Sequence, residues 1–367
     1  MRFIRCSINT GSLPRRQSKF QSTLASTRTL TVQPVTRLTS GDVDHFRDTA
    51  FKPQIPALLP EGYYRSLPAI SKWVTCPKNS HERPALIRSY LEQFASTSVP
   101  LELTIGGDFA RVDQPLSIFL DASESITTSE ARVYLAQASL SDLPEDLRRD
   151  LPTPDLVLKA GKGDVYDTSI WLGLAPTYTP LHRDPNPNLF VQLAGTKRVR
   201  LFSPDVGRAI FGHVQAEIGG HASATMRGEE MMQGEERRAL EDAVWGEAEH
   251  RPWLQDALEC EVGAGDGLFI PKGWWHSIKG VGEGMTGSSM WLLSAWFGVL
   301  YRPNDPLNGV LQYQVRDLIA RYESADQCST VHGNDEDLLY KSVRLSQSQH
   351  TTILTVHVLL KRHAGYS

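Results

Sequence analysis

Two imidazoles and one carboxylate stand at spacings that could hold a divalent metal ion. His182 and Asp184 are two residues apart in TPLHRDPNPNLF, and His276 follows later in GDGLFIPKGWWHSI. Alternate residues of a β-strand face the same way, so His182 and Asp184 can both point into one cavity. Two histidines and one carboxylate leave three positions open on an octahedral iron(II), and no thiolate lies close in sequence. The pattern predicts a non-haem iron(II) site.

The segments that must position these residues read as short β-strands. From residue 131 to 302, apolar runs alternate with Gly, Pro and Asn, which is typical of an antiparallel sandwich or barrel. The range 205–257 interrupts this pattern because it is polar, acidic and rich in Gly, Glu and Met, and it is interpreted as an insertion that runs over the surface. We therefore predict a mainly β fold with flanking helices, in which the barrel mouth holds the ligand.

Both metal-binding segments resemble those of the JmjC-domain, cupin-like oxygenases that depend on Fe(II) and 2-oxoglutarate. The similarity is most specific in TPLHRDPNPNLFVQLAGTKRVRLFSP and in the I-P-x-x-W-W-H order of the later segment, and VYLAQ at 133–137 resembles the strand before the barrel in the small hydroxylase branch. The resemblance covers 130–300 well and 42–130 more loosely. It implies a double-stranded β-helix, or jelly-roll, with iron held by His182, Asp184 and His276.

The same resemblance implies contacts to the cosubstrate. Lys197 matches the lysine that pairs with the far carboxylate of 2-oxoglutarate, Thr179 and Tyr134 match the hydroxyls that support it, and Asn188 matches a polar residue of the cosubstrate pocket. A lysine is a compact charge that can meet a carboxylate inside a pocket, and hydroxyls add neutral hydrogen bonds. The alternative for Lys197 is a solvated strand lysine within the basic run KRVR.

Two further residues are candidates for the pocket walls. Trp171 precedes the metal-binding segment in WLGLAPTYTPLHRD and either lines the cosubstrate pocket or belongs to the core, as tryptophans on barrel strands often do. Gln137 ends VYLAQ and either faces the substrate or makes ordinary strand hydrogen bonds.

The resemblance implies an oxygenase that uses Fe(II), 2-oxoglutarate and O₂ and releases succinate. The short, hydroxylase-like layout, in which no reader domain or zinc finger is recognised, favours hydroxylation of a protein side chain, or of an RNA base, over histone demethylation. The net charge of −4 argues against a stable nucleic-acid partner. Two alternatives remain: a cupin-fold binding protein without turnover, and a cupin metalloenzyme that does not use 2-oxoglutarate. Lys197 together with Thr179 discriminates against the latter, because such an enzyme needs no clamp for a far carboxylate.

The first 40 residues differ in composition from the rest. They contain no acidic residue and are rich in Arg, Ser and Thr, which predicts a disordered mitochondrial transit peptide and a matrix location; a disordered tail without an address is the alternative. The four cysteines are scattered, which disfavours disulfides and a zinc–thiolate site. No apolar run reaches the length of a membrane span.

The remaining segments flank the barrel. Residues 41–130 are predicted to pack on the core through helices and strands, with a helix at 81–97 and a strand at 115–120. Residues 303–367 are predicted to be a C-terminal helical segment, beginning with an amphipathic stretch at 307–322; the pattern at 338–360 is ambiguous, because 351–358 is β-branched inside a region otherwise open to helix. In the family that this chain resembles, such helices often build a dimer interface, so a homodimer is expected.

Overall fold

The computed structural model describes residues 32–75, 77, 79, 82–106, 108–125, 131–220, 233–247, 251–293, 328–332, 338–345 and 354–361. The chain divides into two units, Met1–Trp296 and Phe297–Ser367. Within the described ranges, no helix is both long enough and apolar enough to cross a membrane.

Two sheets, built almost entirely from antiparallel pairs, form the first unit. Its strands, in chain order, are β1 Gln33–Pro34, β2 Ala57–Leu58, β3 Ser98–Ile105, β4 Asp108–Pro115, β5 Ala131–Ser139, β6 Val165–Leu174, β7 Tyr178–Arg183, β8 Asn188–Ala194, β9 Thr196–Phe202, β10 Leu258–Val262, β11 Gly267–Ile270, β12 Trp275–Val281 and β13 Met285–Leu293. One sheet has the order β1-β10-β9-β12-β7, and the other has the order β2-β11-β8-β13-β6-β5-β3-β4.

The strands from β6 to β13 have the topology of a double-stranded β-helix. Successive strands alternate between the two sheets, except that β9 and β10 are neighbours in the same sheet. This arrangement leaves four strands of the jelly-roll in each sheet, namely β6, β13, β8 and β11 in one and β7, β12, β9 and β10 in the other. The mainly β, jelly-roll prediction is confirmed.

The two sheets meet through a shared apolar cluster. Phe190, Leu268 and Ile270 come from the larger sheet, and Val199 and Val262 come from the smaller one. All five are buried, and apolar side chains on the facing sides of two sheets are what holds a β-sandwich together. The candidate ligand residues lie beside this cluster, where the sheets leave room between them.

The N-terminal boundary predicted at residue 40 is wrong. Gln33 and Pro34 form β1, which pairs in parallel with β10, and Val35 and Leu38 are buried in the domain. Residues 33–40 therefore belong to the folded domain, residues 1–31 lie outside the described part of the chain, and the transit peptide stays a prediction. The apolar Val35 and Leu38 explain the difference, because they contribute to the core despite the basic composition around them.

Helices flank the sheets, and in chain order they are α1 Val43–Phe46, α2 Pro68–Lys72, α3 Arg88–Leu91, α4 Leu116–Ser125, α5 Glu145–Arg149, α6 Asp155–Ala160, α7 Pro204–Glu217 and α8 Gly234–Trp245. Helix α1 continues as a π-helix at Arg47–Phe51. Turns of 3₁₀ helix lie at Glu92–Phe94, Leu140–Asp142 and Pro252–Asp256. The helix predicted at 81–97 is thus shorter than expected. The strand predicted at 115–120 is wrong, because Leu116, Phe119 and Leu120 are buried at helical spacing on α4.

The range 205–257 is not a surface excursion where the structure describes it. Helix α7 buries Ile210, Phe211 and Val214, and α8 buries Leu240, in one cluster with Trp275 of β12. These apolar residues recur at helical spacing inside a stretch that is polar on average. An interpretation based on mean composition therefore missed two amphipathic helices. The insertion therefore packs against the sheet that carries the candidate histidines.

The second unit contains the strands β14 Cys328–His332, β15 Leu338–Leu345 and β16 Leu354–Lys361, which form an antiparallel sheet of order β14-β15-β16. The helical prediction for 303–367 is wrong over these three ranges, where β-branched residues such as Val343, Val356 and Val358 favour strands. The amphipathic stretch at 307–322 lies outside the described residues. The homodimer stays a prediction.

Candidate metal and cosubstrate site

Strands β7 and β12 bring the three predicted metal ligands together. His182 of β7 and His276 of β12 lie directly opposite each other, and their rings are 4.2 Å apart between centroids. Asp184 directly follows β7, and its Oδ2 lies 3.7 Å from Nε2 of His276. One donor atom from each residue lies within 4.8 Å of the others, so the triad could hold a metal ion.

Backbone carbonyls orient both imidazoles. Nδ1 of His182 lies 2.9 Å from the carbonyl oxygen of Pro180, and Nδ1 of His276 lies 3.3 Å from that of Trp274. When Nδ1–H donates to these oxygens, Nε2 is left with its lone pair free for a metal. Burial lowers the pKa of His276, and nearby His182 lowers it further, so His276 is the neutral imidazole that metal binding requires.

Asn188, at the start of β8, fixes the orientation of the carboxylate. Its Nδ2 donates to Oδ2 of Asp184 at 2.9 Å and also contacts the sulfur of Met290. The side chain is buried, and Oδ1 of Asn188 has no hydrogen-bond partner within the described part of the chain. A buried acceptor without a donor is costly, so this oxygen favours a ligand or water that donates to it.

Lys197 of β9 carries a buried amino group. Its Nζ donates to Oγ of Ser288 at 2.8 Å and lies 3.5 Å from the hydroxyl of Tyr134. Burial lowers the pKa of Lys197 to about 7, and none of the described carboxylates forms an ion pair with it. The alternative of a solvated strand lysine is therefore wrong, because only 3% of the residue surface is exposed. An anionic ligand would supply the missing counter-charge.

One cavity of about 500 Å³ connects all the predicted site residues, from the triad to Lys197, with Tyr134, Trp171, Thr179 and Asn188 in its walls. Trp171 is half-buried there, so it is a wall residue rather than simple core. Burial raises the pKa of the Tyr134 phenol, which keeps its hydroxyl neutral and able to donate.

Some residues of the cavity were not predicted from the sequence. Ser288 and Met290 carry no motif, and only the pairing of β13 with β8 brings them to the cavity. Tyr166 is 66% exposed at its rim, an unusual exposure for a large aromatic side chain. Gln137, by contrast, was suggested from the sequence as a residue that faces the substrate, and it lines the cavity at a bulge of β5 with a φ of +54°. Strain of this kind in a non-glycine residue is frequent at functional sites.

The donor set fits iron(II), and the cavity fits 2-oxoglutarate. Two imidazoles and one carboxylate converge on one point, as in the facial triad of non-haem iron sites. The Lys197 amine, which has no ion-pair partner among the described residues, and two hydroxyls, those of Tyr134 and Ser288, lie in the same cavity. This pairing of a metal triad with a separate carboxylate-binding group suits a cosubstrate that chelates at one end and carries a second carboxylate at the other.

Comparison with known proteins agrees with this geometry. Residues 52–300 match the family described as Cupin-like domain. The chain is 25% identical to "Lysine-specific demethylase JMJ30" of Arabidopsis thaliana over 72% of this chain and 56% of that protein. It is 26% identical to "Lysine-specific demethylase 8" of Xenopus tropicalis, over 70% of this chain and 52% of that protein.

A third relative carries a different activity in its name. The chain is 27% identical to the human "Bifunctional peptidase and (3S)-lysyl hydroxylase JMJD7", over 56% of this chain and 75% of that protein. The chain spans little more than half the length of the two demethylase relatives. With the family match covering well over half of the sequence, the chain belongs to the Cupin-like, JmjC-type family of oxygenases, whose cofactors are Fe(II), 2-oxoglutarate and O₂.

Proposed function

We propose that this protein is an Fe(II)- and 2-oxoglutarate-dependent oxygenase that hydroxylates a protein side chain. His182 and His276, through Nε2, and Asp184, through one carboxylate oxygen, hold the iron. Lys197 binds the far carboxylate of 2-oxoglutarate. When bound, iron and 2-oxoglutarate supply the activation of O₂, coupled to decarboxylation of the cosubstrate to succinate.

The observation that carries this proposal is the placement of Lys197 in the same cavity as the triad. A metal site alone would suit any cupin metalloenzyme, but burying an ammonium group without a carboxylate is costly. The far carboxylate of a 2-oxo dicarboxylic acid beside Lys197 would offset that cost. The same observation disfavours the metalloenzyme that does not use 2-oxoglutarate, and the triad together with Lys197 disfavours the binding protein without turnover.

Each remaining group of the cavity has a role in holding the reactants. Ser288 and Tyr134 surround Nζ of Lys197 and share the far carboxylate with it, and Thr179 adds a hydroxyl from the wall. Asn188 holds Asp184 so that its carboxylate meets the metal in one orientation. The half-buried Trp171 contributes apolar surface that keeps water away from the reacting centre.

Protein side chains are the favoured substrate class for two reasons. The relatives named above are lysine-specific demethylases and a lysyl hydroxylase, so polypeptides are their substrates. The cavity is open at a rim where Tyr166 is exposed, and such a rim suits a side chain that enters from a polypeptide. An RNA base is the less favoured substrate, given the net charge of −4.

Hydroxylation and demethylation are distinguished by their products. Hydroxylation at a carbon of the side chain leaves a stable alcohol, whereas hydroxylation of an N-methyl carbon is followed by release of formaldehyde. Substrate capture by the full chain from mitochondrial extract, followed by mass spectrometry, would identify the modified residue and its mass change. Formaldehyde release that matches succinate would replace the hydroxylase proposal by a demethylase.

The oxygenase itself is tested without knowing the substrate. Purified protein with Fe(II), 2-oxoglutarate and O₂ is expected to form succinate slowly, and His182→Ala is expected to abolish this because one imidazole ligand is lost. Tight iron binding without succinate above the level of the His182→Ala control, with candidate peptides present, would overturn the proposal.

A further inference from the structure

The pairing of β7 with β12 shifts by one residue between His182, a metal ligand, and Thr179, the residue predicted to contact the cosubstrate. His276 lies opposite His182, but two positions later Ile278 lies opposite Thr179. Pro180 and Leu181 of β7 therefore both lie opposite Ser277 of β12, which makes a β-bulge in β7. The bulge lies on the edge strand of the smaller sheet.

Pro180, one of the two bulged residues, explains the position of the irregularity. Proline has no N–H to donate to the ladder and is found in sheets mainly at edges and bulges. Its carbonyl is the group that lies 2.9 Å from Nδ1 of His182. The bulge thus contributes to the orientation of the metal-binding imidazole.

The bulge also decides which way Thr179 faces. In a regular strand, residues three apart point to opposite faces, so Thr179 would point away from the cavity that His182 enters. In the structure both residues line that cavity. The extra residue of the bulge restores Thr179 to the face where the cosubstrate would bind.

A hydroxyl–indole pair braces this bulge. The buried Ser277 donates from Oγ to the carbonyl oxygen of Thr179 at 2.8 Å and accepts from Nε1 of Trp245 at 2.9 Å. Trp245 is the last residue of α8, and its ring lies beneath the cations of Arg200 at 4.6 Å and Lys279 at 5.2 Å. The insertion helix is therefore tied to the backbone of Thr179 through one buried serine.

We propose that Trp245 and Ser277 are positioning residues that hold the β7 bulge, so that Thr179 remains turned toward the cosubstrate. This inference rests on the proposed function, because it assigns a role in binding 2-oxoglutarate. Neither Trp245 nor Ser277 lines the cavity, so both act through Thr179. The insertion at 205–257 then contributes to cosubstrate binding without touching the cosubstrate.

The test compares 2-oxoglutarate binding by the full chain loaded with Mn(II), measured by isothermal titration calorimetry. Ser277→Ala and Trp245→Phe are each expected to raise the Kd for 2-oxoglutarate about five- to tenfold, the effect of losing one buried hydrogen bond that orients a contact. The double variant is expected to bind no more weakly than Ser277→Ala, because the two residues act as one unit. In turnover, the KM for 2-oxoglutarate rises and kcat changes little.

Two matched variants control for a general loss of stability. Ser289 is also buried and donates across strands to the carbonyl oxygen of Ser169 at 3.3 Å, but it does not line the cavity. Trp253 lies in the same insertion and donates to the carbonyl oxygen of Ala243 at 2.8 Å. Ser289→Ala and Trp253→Phe are expected to bind 2-oxoglutarate as the wild type does.

The outcomes separate this inference from the proposed function. Unchanged affinity in Ser277→Ala, or an equal loss in Ser289→Ala, overturns the positioning role while the wild type still binds 2-oxoglutarate. Absence of binding by the wild type overturns the proposed function instead. In that case hydrogen–deuterium exchange at β7 decides the bracing role: faster exchange in Ser277→Ala supports it, and unchanged exchange overturns it.

Discussion

Replacing Lys197 by methionine tests the central electrostatic argument. Methionine keeps a long unbranched chain but removes the ammonium group. Burial lowers the pKa of Lys197 from 10.5 to about 7. At 1.36 kcal/mol for each pKa unit, the charged lysine costs the ligand-free fold about 5 kcal/mol.

This cost gives the ligand-free protein a pH dependence of known sign. The folded state favours the neutral amine, so the penalty is fully present below pH 7 and disappears as the pH rises from about 7 to 10.5. We therefore expect Lys197→Met to be more stable than the wild type at pH 7 and the difference to shrink toward pH 10. Thermal unfolding across this range measures it, and a difference that is independent of pH would refute the reasoning.

Cosubstrate binding should reverse the same cost. A carboxylate beside Nζ favours the charged lysine, so at pH 8.5 the Mn(II)-loaded protein should take up close to one proton for each 2-oxoglutarate bound. Calorimetry in two buffers of different ionisation enthalpy measures that uptake. Lys197→Met should show none of it and should bind about 100-fold more weakly, because a charge-assisted contact is lost. Equal proton uptake in both proteins would refute the assignment of Lys197.

Two further predictions concern the metal and the leader. Asn188→Ala removes the hydrogen bond to Asp184, and the iron(II) affinity measured by chelator competition is expected to fall about tenfold; wild-type affinity would mean that Asn188 does not orient the carboxylate. A fusion of residues 1–31 to a fluorescent reporter is expected to enter mitochondria, because the segment is basic and acid-free, and a diffuse cytosolic signal would contradict the transit peptide.

More of the candidate site than of the surrounding helices and strands could be predicted from the sequence. His182 and Asp184 were recognisable because alternate strand residues share a face, and Lys197 because it stands at a fixed spacing within the same motif. Ser288 could not be found, since its place beside Lys197 depends on strands that are far apart in sequence. No local pattern marks a lone serine as the partner of a buried lysine.

Two of the errors in the fold, those at the insertion and at the N-terminal boundary, came from reliance on average composition. Helix α7 buries Phe211 against Trp275 with 5.4 Å between ring centroids, yet its surroundings in sequence are acidic and rich in glycine. Whether such a segment forms a stable helix depends on the packing of its amphipathic face and not on the mean composition of the segment. Val35 and Leu38 belong to the domain because Val35 is buried in the apolar cluster between the two sheets and Leu38 in the core cluster of the larger sheet. A domain boundary predicted from composition alone cannot reveal these contacts of Val35 and Leu38.

The proposed chemistry depends on the register of β9 against β12. His276 lies opposite Leu201, and Gly280 lies opposite Lys197, so the lysine is four residues along the strand from the level of the metal ligand. At about 3.3 Å for each residue, that separation is about 13 Å, and an extended lysine with a five-carbon dicarboxylate can span it toward the metal. Because the offset is even, Lys197 and Leu201 share a face of the sheet. A slip of one residue would turn the lysine out of the cavity while leaving the triad intact, so metal binding and cosubstrate binding are specified by separate features of the same sheet.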